Sequence, residues 1–123
     1  DLGQIEGGFI QGMGWLTTEE LWWDESGALR THAPSTYKIP VCSDLPVDFR
    51  VTMLDSAGNR EETIHRSKAV GEPPLMLALS VFHAIRDAVA AAGDYRGSPR
   101  LAAPATPEAV LAAVGELRGR EAP

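Results

Sequence analysis

Cysteine is nearly missing from this chain: Cys42 is the only one in 123 residues. One thiol forms no internal disulfide and builds no iron–sulfur or cysteine-rich zinc site. The scarcity fits a reducing compartment, so a cytoplasmic location is expected. Cys42 stands in a proline-rich loop with no histidine nearby, and a thiol nucleophile there would lack its base. The three histidines, His32, His65 and His83, have neither HxH nor HxxxH spacing, so no metal site is expected from them. No G-x-S-x-G elbow and no phosphate-binding P-loop occurs. Positive charge is scarce too: 11 Lys and Arg stand against 17 Asp and Glu, a net charge of −6. That balance argues against nucleic acid and anionic membranes as main partners. It leaves room for an anionic cofactor, which a few local donors can hold. No apolar run is expected to reach the roughly 18 residues of a membrane span, and no leader peptide is visible. Asp1 opens straight into a patterned segment, so the start is read as internal to a longer gene product.

What the chain does contain is patterned. In 2–21, Ile5, Phe9, Met13 and Leu16 recur at helical spacing, yet Gly3, Gly7, Gly8, Gly12 and Gly14 share the stretch. Each glycine costs about 1 kcal/mol against alanine inside a helix. Such a helix survives only when something lies close against its bare face. That something is either another helix or a bulky ligand. Residues 21–31 read as a β-hairpin turning at Asp24-Glu25-Ser26-Gly27. Pro34, Pro40 and Pro46 make the next stretch an extended loop. In 47–55, Val47, Phe49, Val51 and Met53 alternate as in a half-buried strand, with 56–59 as a turn and "ETIHRS" as an antiparallel neighbour. Residues 73–92 form the strongest predicted helix, with prolines in its first turn, apolar side chains nearly all round its first half, and Gly93 as C-cap. After a loop over 93–106, Thr106-Pro107-Glu108 opens a last helix, 107–118, and 119–123 is a tail. The fold class expected is α+β: a glycine-rich first helix, a small antiparallel sheet, a long buried helix and a short terminal one.

Glu19, Glu20, Asp24, Glu25, Glu61 and Glu62 read as solvated surface charge. Glu72 is different. It lies between Gly71 and Pro73 at the mouth of the long apolar helix, where the helix dipole favours a carboxylate and burial would oppose one. A poorly solvated carboxylate of this kind serves as a base for proton abstraction. Equally, it could simply cap the helix. Gln4, between Gly3 and an apolar residue, carries a neutral amide with two donors and an acceptor, suited to an oxo or phosphate group. An ordinary exposed glutamine would look the same.

Three segments, "GQIEGGFIQGMGWLTTEEL", "THAPSTYKIP" and "SKAVGEPPLMLALSVFHAIRDA", carry a resemblance. In this order and spacing the chain resembles the C-terminal part of the molybdenum-binding large subunit of xanthine dehydrogenases, above all the bacterial two-subunit type. The resemblance covers nearly the whole chain and is firmest over 1–92. It implies that residues 1–123 are the C-terminal segment of a larger molybdopterin-binding domain. It also implies hydroxylation of an electron-poor purine carbon at a molybdenum–pterin centre. Glu72 would be the general base that deprotonates the attacking hydroxyl. Gln4 would hydrogen-bond the cofactor, and the backbone at Val70 and Gly71 would lie against it. Iron–sulfur clusters and FAD on other domains or a partner subunit would carry electrons to NAD. Implied partners are the purine, the flavin/iron–sulfur subunit, the rest of the large subunit and a second copy of the enzyme. The family's substrate-clamping Arg and Glu are not matched in this sequence, so an aldehyde or another N-heterocycle stays open as substrate. The isolated chain is expected to bind no cofactor and to be inactive. A non-catalytic folding or dimerisation module is the competing reading from a different class.

Overall fold

A computed structural model describes residues 1–55, 60–66 and 71–119. Helix α1 (Leu2–Thr17) forms despite its glycines. The carbonyl of Asp1 accepts from the backbone N–H groups of Gln4 and Ile5. Its far end closes where the Thr17 hydroxyl donates to the Met13 carbonyl at 2.6 Å and Thr18 and Glu19 N–H donate to Gly14. Helices α2 (Pro73–Leu77) and α3 (Leu79–Ala92) follow one another with a break at Ala78, and α4 (Pro107–Leu117) packs against α3. Thr106 caps α4, its hydroxyl accepting from Ala109 N–H at 3.2 Å, with Pro107 at the first helical position.

The bare face of α1 is where the packing is tightest. A β-carbon on Gly12 would lie 2.3 Å from the Leu75 carbonyl oxygen and 2.7 Å from the Ala78 β-carbon, and one on Gly8 would lie 3.0 Å from the Pro74 β-carbon. One on Gly14 would lie 2.3 Å from Pro40 Cδ. Three of the five glycines therefore answer to protein packing, and two, Gly3 and Gly7, meet nothing within 4 Å. Gly93 also serves close approach rather than handedness. Its φ is −101°, the left-handed residues after α3 are Asp94 and Tyr95, and a β-carbon on Gly93 would meet that of Leu117 at 2.8 Å.

The α+β expectation fails. Among the described residues there is no β-strand and hence no antiparallel sheet; the regular structure is helical. In 21–31 the chain does turn back on itself at 24–27, but the hairpin shrinks to a single antiparallel bridge, Trp23 with Leu29, with no strand on either side. Its turn is held by the Asp24 carboxylate, which accepts from the Ser26 hydroxyl at 2.6 Å, the Ser26 and Ala28 N–H groups and Arg30 Nε. Those contacts, the Ser26 hydroxyl first and the Ala28 N–H next, hold the Asp24 carboxyl below the usual carboxylate range. Residues 47–55 alternate as expected but find no partner strand: Phe49 stacks on Phe9 with ring centroids 5.5 Å apart, while Val47 and Leu54 stand in solvent. "ETIHRS" is a short 3-10 turn at Ile64–Arg66 with His65 at φ 51°. The turn expected at 56–59 lies outside the described residues.

The long helix is interrupted and only partly buried. It breaks at Ala78, and Met76, Leu77 and Leu79 are exposed. By length and composition alone Pro73–Ala92 is long and apolar enough to cross a membrane, contrary to expectation, since Arg86 and Asp87 are few enough charges to pass. Here α2 and α3 both pack on α1. Among the described residues the buried apolar side chains are few and mostly small: Leu16, Ala78, Val89, Ala90, Ala105 and Ala113. The chain exposes 9557 Å², whereas a folded monomer of 13.2 kDa exposes about 6,400 Å².

Candidate functional site

Helices α1 and α2 run in the same direction. Gly8 faces Pro74 and Gly12 faces Ala78, four residues further along each helix. Gln4 precedes Gly8 by one turn and Glu72 precedes Pro74 by two residues, so this register brings both to the same end of the pair. Gly71 turns the chain into that end. Its φ is +58°, a conformation open to glycine and costly for other residues. Val70 lies outside the described residues.

Both candidate side chains are exposed and without a hydrogen-bonding partner among the described residues. Glu72 does not cap α2 with its side chain, and its φ/ψ of −97°/−4° is helical rather than the extended form its following proline favours. Its carbonyl anchors the helix start, accepting from Leu75 N–H at 2.9 Å and Met76 N–H at 3.4 Å. The side chain is thus left with no structural task among the described residues. The depressions lined by Leu21, Thr31, His32 and Tyr37, and by Trp15, Leu16, Trp23 and Pro104, include neither Gln4 nor Glu72.

A pairing that sequence reasoning missed lies at the other end of α1. Tyr37 of the "TYKIP" segment donates its hydroxyl to Glu19 at 2.6 Å, and Thr18 donates to the Lys38 carbonyl at 3.0 Å. The hydrogen bond to Glu19, with burial and the charge of Glu19 adding to it, pushes the Tyr37 phenol up from its ordinary value. Glu19 is therefore not a solvated acid but a clamp that ties the loop to α1. Two acids in series, Glu19-Glu20, gave no sign of which one would be used.

Among the described residues no group of three His, Cys, Asp or Glu side chains is placed to hold a metal ion. A metal-bearing organic cofactor asks something different of a chain: polar atoms free to bond it and backbone it can approach. The unpartnered Gln4 amide and the open faces of Gly3 and Gly7, on the same helix end, meet that requirement. They fit such a group as one wall, without enclosing it.

Residues 1–46 match a molybdopterin cofactor-binding domain model. The chain is 49% identical over 115 residues to the xanthine dehydrogenase/oxidase of Rattus norvegicus, which covers 89% of this chain and 9% of that protein. It is 54% identical over 92 residues to the xanthine dehydrogenase of Dictyostelium discoideum (75% and 7%). It is 47% identical over 121 residues to that of Oryza sativa subsp. japonica (89% and 9%). The chain matches the xanthine dehydrogenase/oxidase family. It spans less than a tenth of the length of these relatives. The xanthine dehydrogenase/oxidase match extends past the first helix and loop to most of the chain, and it includes animal and plant proteins, so it does not single out the bacterial two-subunit type.

Proposed function

We propose that this chain is the C-terminal segment of the molybdopterin-binding domain of a purine hydroxylase, and that it contributes one wall of the active site. The observation that carries the reading is similarity to xanthine dehydrogenases across 89% of the chain, joined to a helix pair whose register supports Gln4 and Glu72 sharing one end. The molybdenum–pterin cofactor, when bound, supplies the oxygen-transfer and electron-accepting chemistry. The residues of this chain bind, orient and move a proton. The Gln4 amide hydrogen-bonds the cofactor, with two donors and an acceptor to offer. Val70 and Gly71 give it backbone to rest on. A carboxylate oxygen of Glu72 takes the proton released as substrate is hydroxylated, as a positioned general base does.

In this reading the segment belongs to the large subunit of a two-subunit cytoplasmic enzyme. FAD and iron–sulfur clusters reside on other domains or the partner subunit, and NAD is the final acceptor. The purine is xanthine or hypoxanthine. Steady-state kinetics of the full-length enzyme test the substrate: kcat/KM for xanthine or hypoxanthine should exceed that for aldehydes and non-purine N-heterocycles by at least about 100-fold, a margin that a site hydrogen-bonding its substrate attains. Preference for an aldehyde would move the chain to another branch of the molybdenum hydroxylases. The competing reading, a folding or dimerisation module, draws on a different observation, the apolar side chains Trp15, Trp22, Trp23 and Leu77 left in solvent.

A further inference from the structure

We propose that Gly8 and Gly12 are positioning residues for Glu72, fixing the place of its carboxylate by letting α2 sit directly on the backbone of α1. The proposal rests on the reading of Glu72 as the base. Three observations connect the glycines to it. First, a β-carbon on Gly12 would fall 2.3 Å from the Leu75 carbonyl oxygen and 2.7 Å from the Ala78 β-carbon, so there is no room for one unless α2 withdraws. Second, Leu75 is tied to Glu72: its N–H donates to the Glu72 carbonyl at 2.9 Å. A displacement of Leu75 therefore carries the Glu72 backbone with it. Third, α2 has only five residues and breaks from α3 at the fully buried Ala78. Ala78, pressed by the same β-carbon, joins the two helices, its N–H donating to the Leu75 carbonyl at 3.2 Å and its carbonyl accepting from Val81 N–H at 2.9 Å, so a push at Gly12 moves this junction and the Glu72 end together. Gly8 bears on the same helix more softly, 3.0 Å from the Pro74 β-carbon and 3.6 Å from Leu75 N.

This makes the two glycines separable from ordinary helix residues. Inside a helix, Gly→Ala on open ground is stabilising by about 1 kcal/mol. Here the same change should cost turnover. Withdrawal of α2 by on the order of 1 Å at Gly12 predicts a loss of about 100-fold in kcat, the penalty for misplacing a reacting group by that distance. A few tenths of an ångström at Gly8 predicts a loss of roughly 3-fold to 10-fold.

The experiment uses the full-length holoenzyme with Gly8→Ala, Gly12→Ala and Glu72→Gln, each measured for bound molybdenum, thermal midpoint, and kcat and KM for xanthine. The expected result is a graded fall in kcat per bound molybdenum, Gly12→Ala more than Gly8→Ala, with KM within about 2-fold of wild type. A merely structural role would lower the thermal midpoint and the molybdenum content and leave kcat per molybdenum unchanged; that result overturns the proposal. Should Gly12→Ala fail to fold, Gly8→Ala decides alone, by the same criterion. Near-normal turnover in Glu72→Gln would remove the base, and the proposal with it. Loss of turnover in Glu72→Gln beside wild-type kcat in both glycine variants would remove the positioning role alone.

Discussion

Glu72→Gln in the full-length enzyme should keep the fold and the cofactor and lose turnover by 10²-fold to 10⁴-fold, the usual contribution of a positioned base. The structure makes this a clean experiment. The Glu72 side chain caps nothing and has no partner among the described residues, so its removal deletes no stabilising contact among them. The anchoring of α2 runs through the Glu72 carbonyl, which every substitution retains. Glutamine preserves the shape and removes the charge, whereas Glu72→Ala removes both. Equal losses in the two variants would assign the effect to the lost proton acceptor, and a milder loss in Glu72→Gln would assign part of it to shape. Turnover within a few-fold of wild type in both would dismiss Glu72 as the base.

The isolated 123-residue chain should not persist as a 13.2 kDa monomer in solution. It exposes 9557 Å², about 3,000 Å² more than a folded monomer of that mass. A stable interface takes roughly 800 Å² from each partner, so the excess is several interfaces' worth. Much of what is exposed is large and apolar: Trp15, Leu21, Trp22, Trp23, Leu77 and Leu79. Patches of this kind are interaction surfaces or aggregation sites. Light scattering coupled to size-exclusion chromatography should show species well above 13.2 kDa that bind a hydrophobic dye. A monodisperse monomer with no dye binding would mean that the chain buries this surface by itself.

Helix-forming stretches were legible in the sequence wherever the signal was local. The α1 periodicity of Ile5, Phe9, Met13 and Leu16 sufficed, and so did the Thr106-Pro107-Glu108 start of α4. The sheet was not legible, because alternation in Val47, Phe49, Val51 and Met53 says which side of a segment is apolar, not whether a second strand lies within reach. Here the apolar side found Phe9 of a helix instead. The buried state of 73–92 was misread for a related reason. Apolar composition shows that a surface needs covering, but α1 and α4 cover only part of it, leaving Met76, Leu77 and Leu79 in solvent.

For the candidate site, Glu72 stood out by its place before two prolines, and Gln4 by its place at a bare helix end. Their convergence on one end of a helix pair was invisible, since it depends on Gly8 meeting Pro74 and Gly12 meeting Ala78 across more than sixty residues of chain. The glycine question resolved by division. Gly8 and Gly12 serve the helix contact, and Gly14 receives Pro40, which leaves Gly3 and Gly7 as the open surface beside Gln4.

The most direct measurement is the distance from the Glu72 carboxylate to the metal in an experimental structure of the full-length, molybdenum-loaded enzyme. The account predicts a carboxylate oxygen within hydrogen-bonding distance of one of the metal's own ligands, with the Gln4 amide bonded to the same cofactor. A Glu72 side chain pointing into bulk solvent, away from the molybdenum, would contradict it.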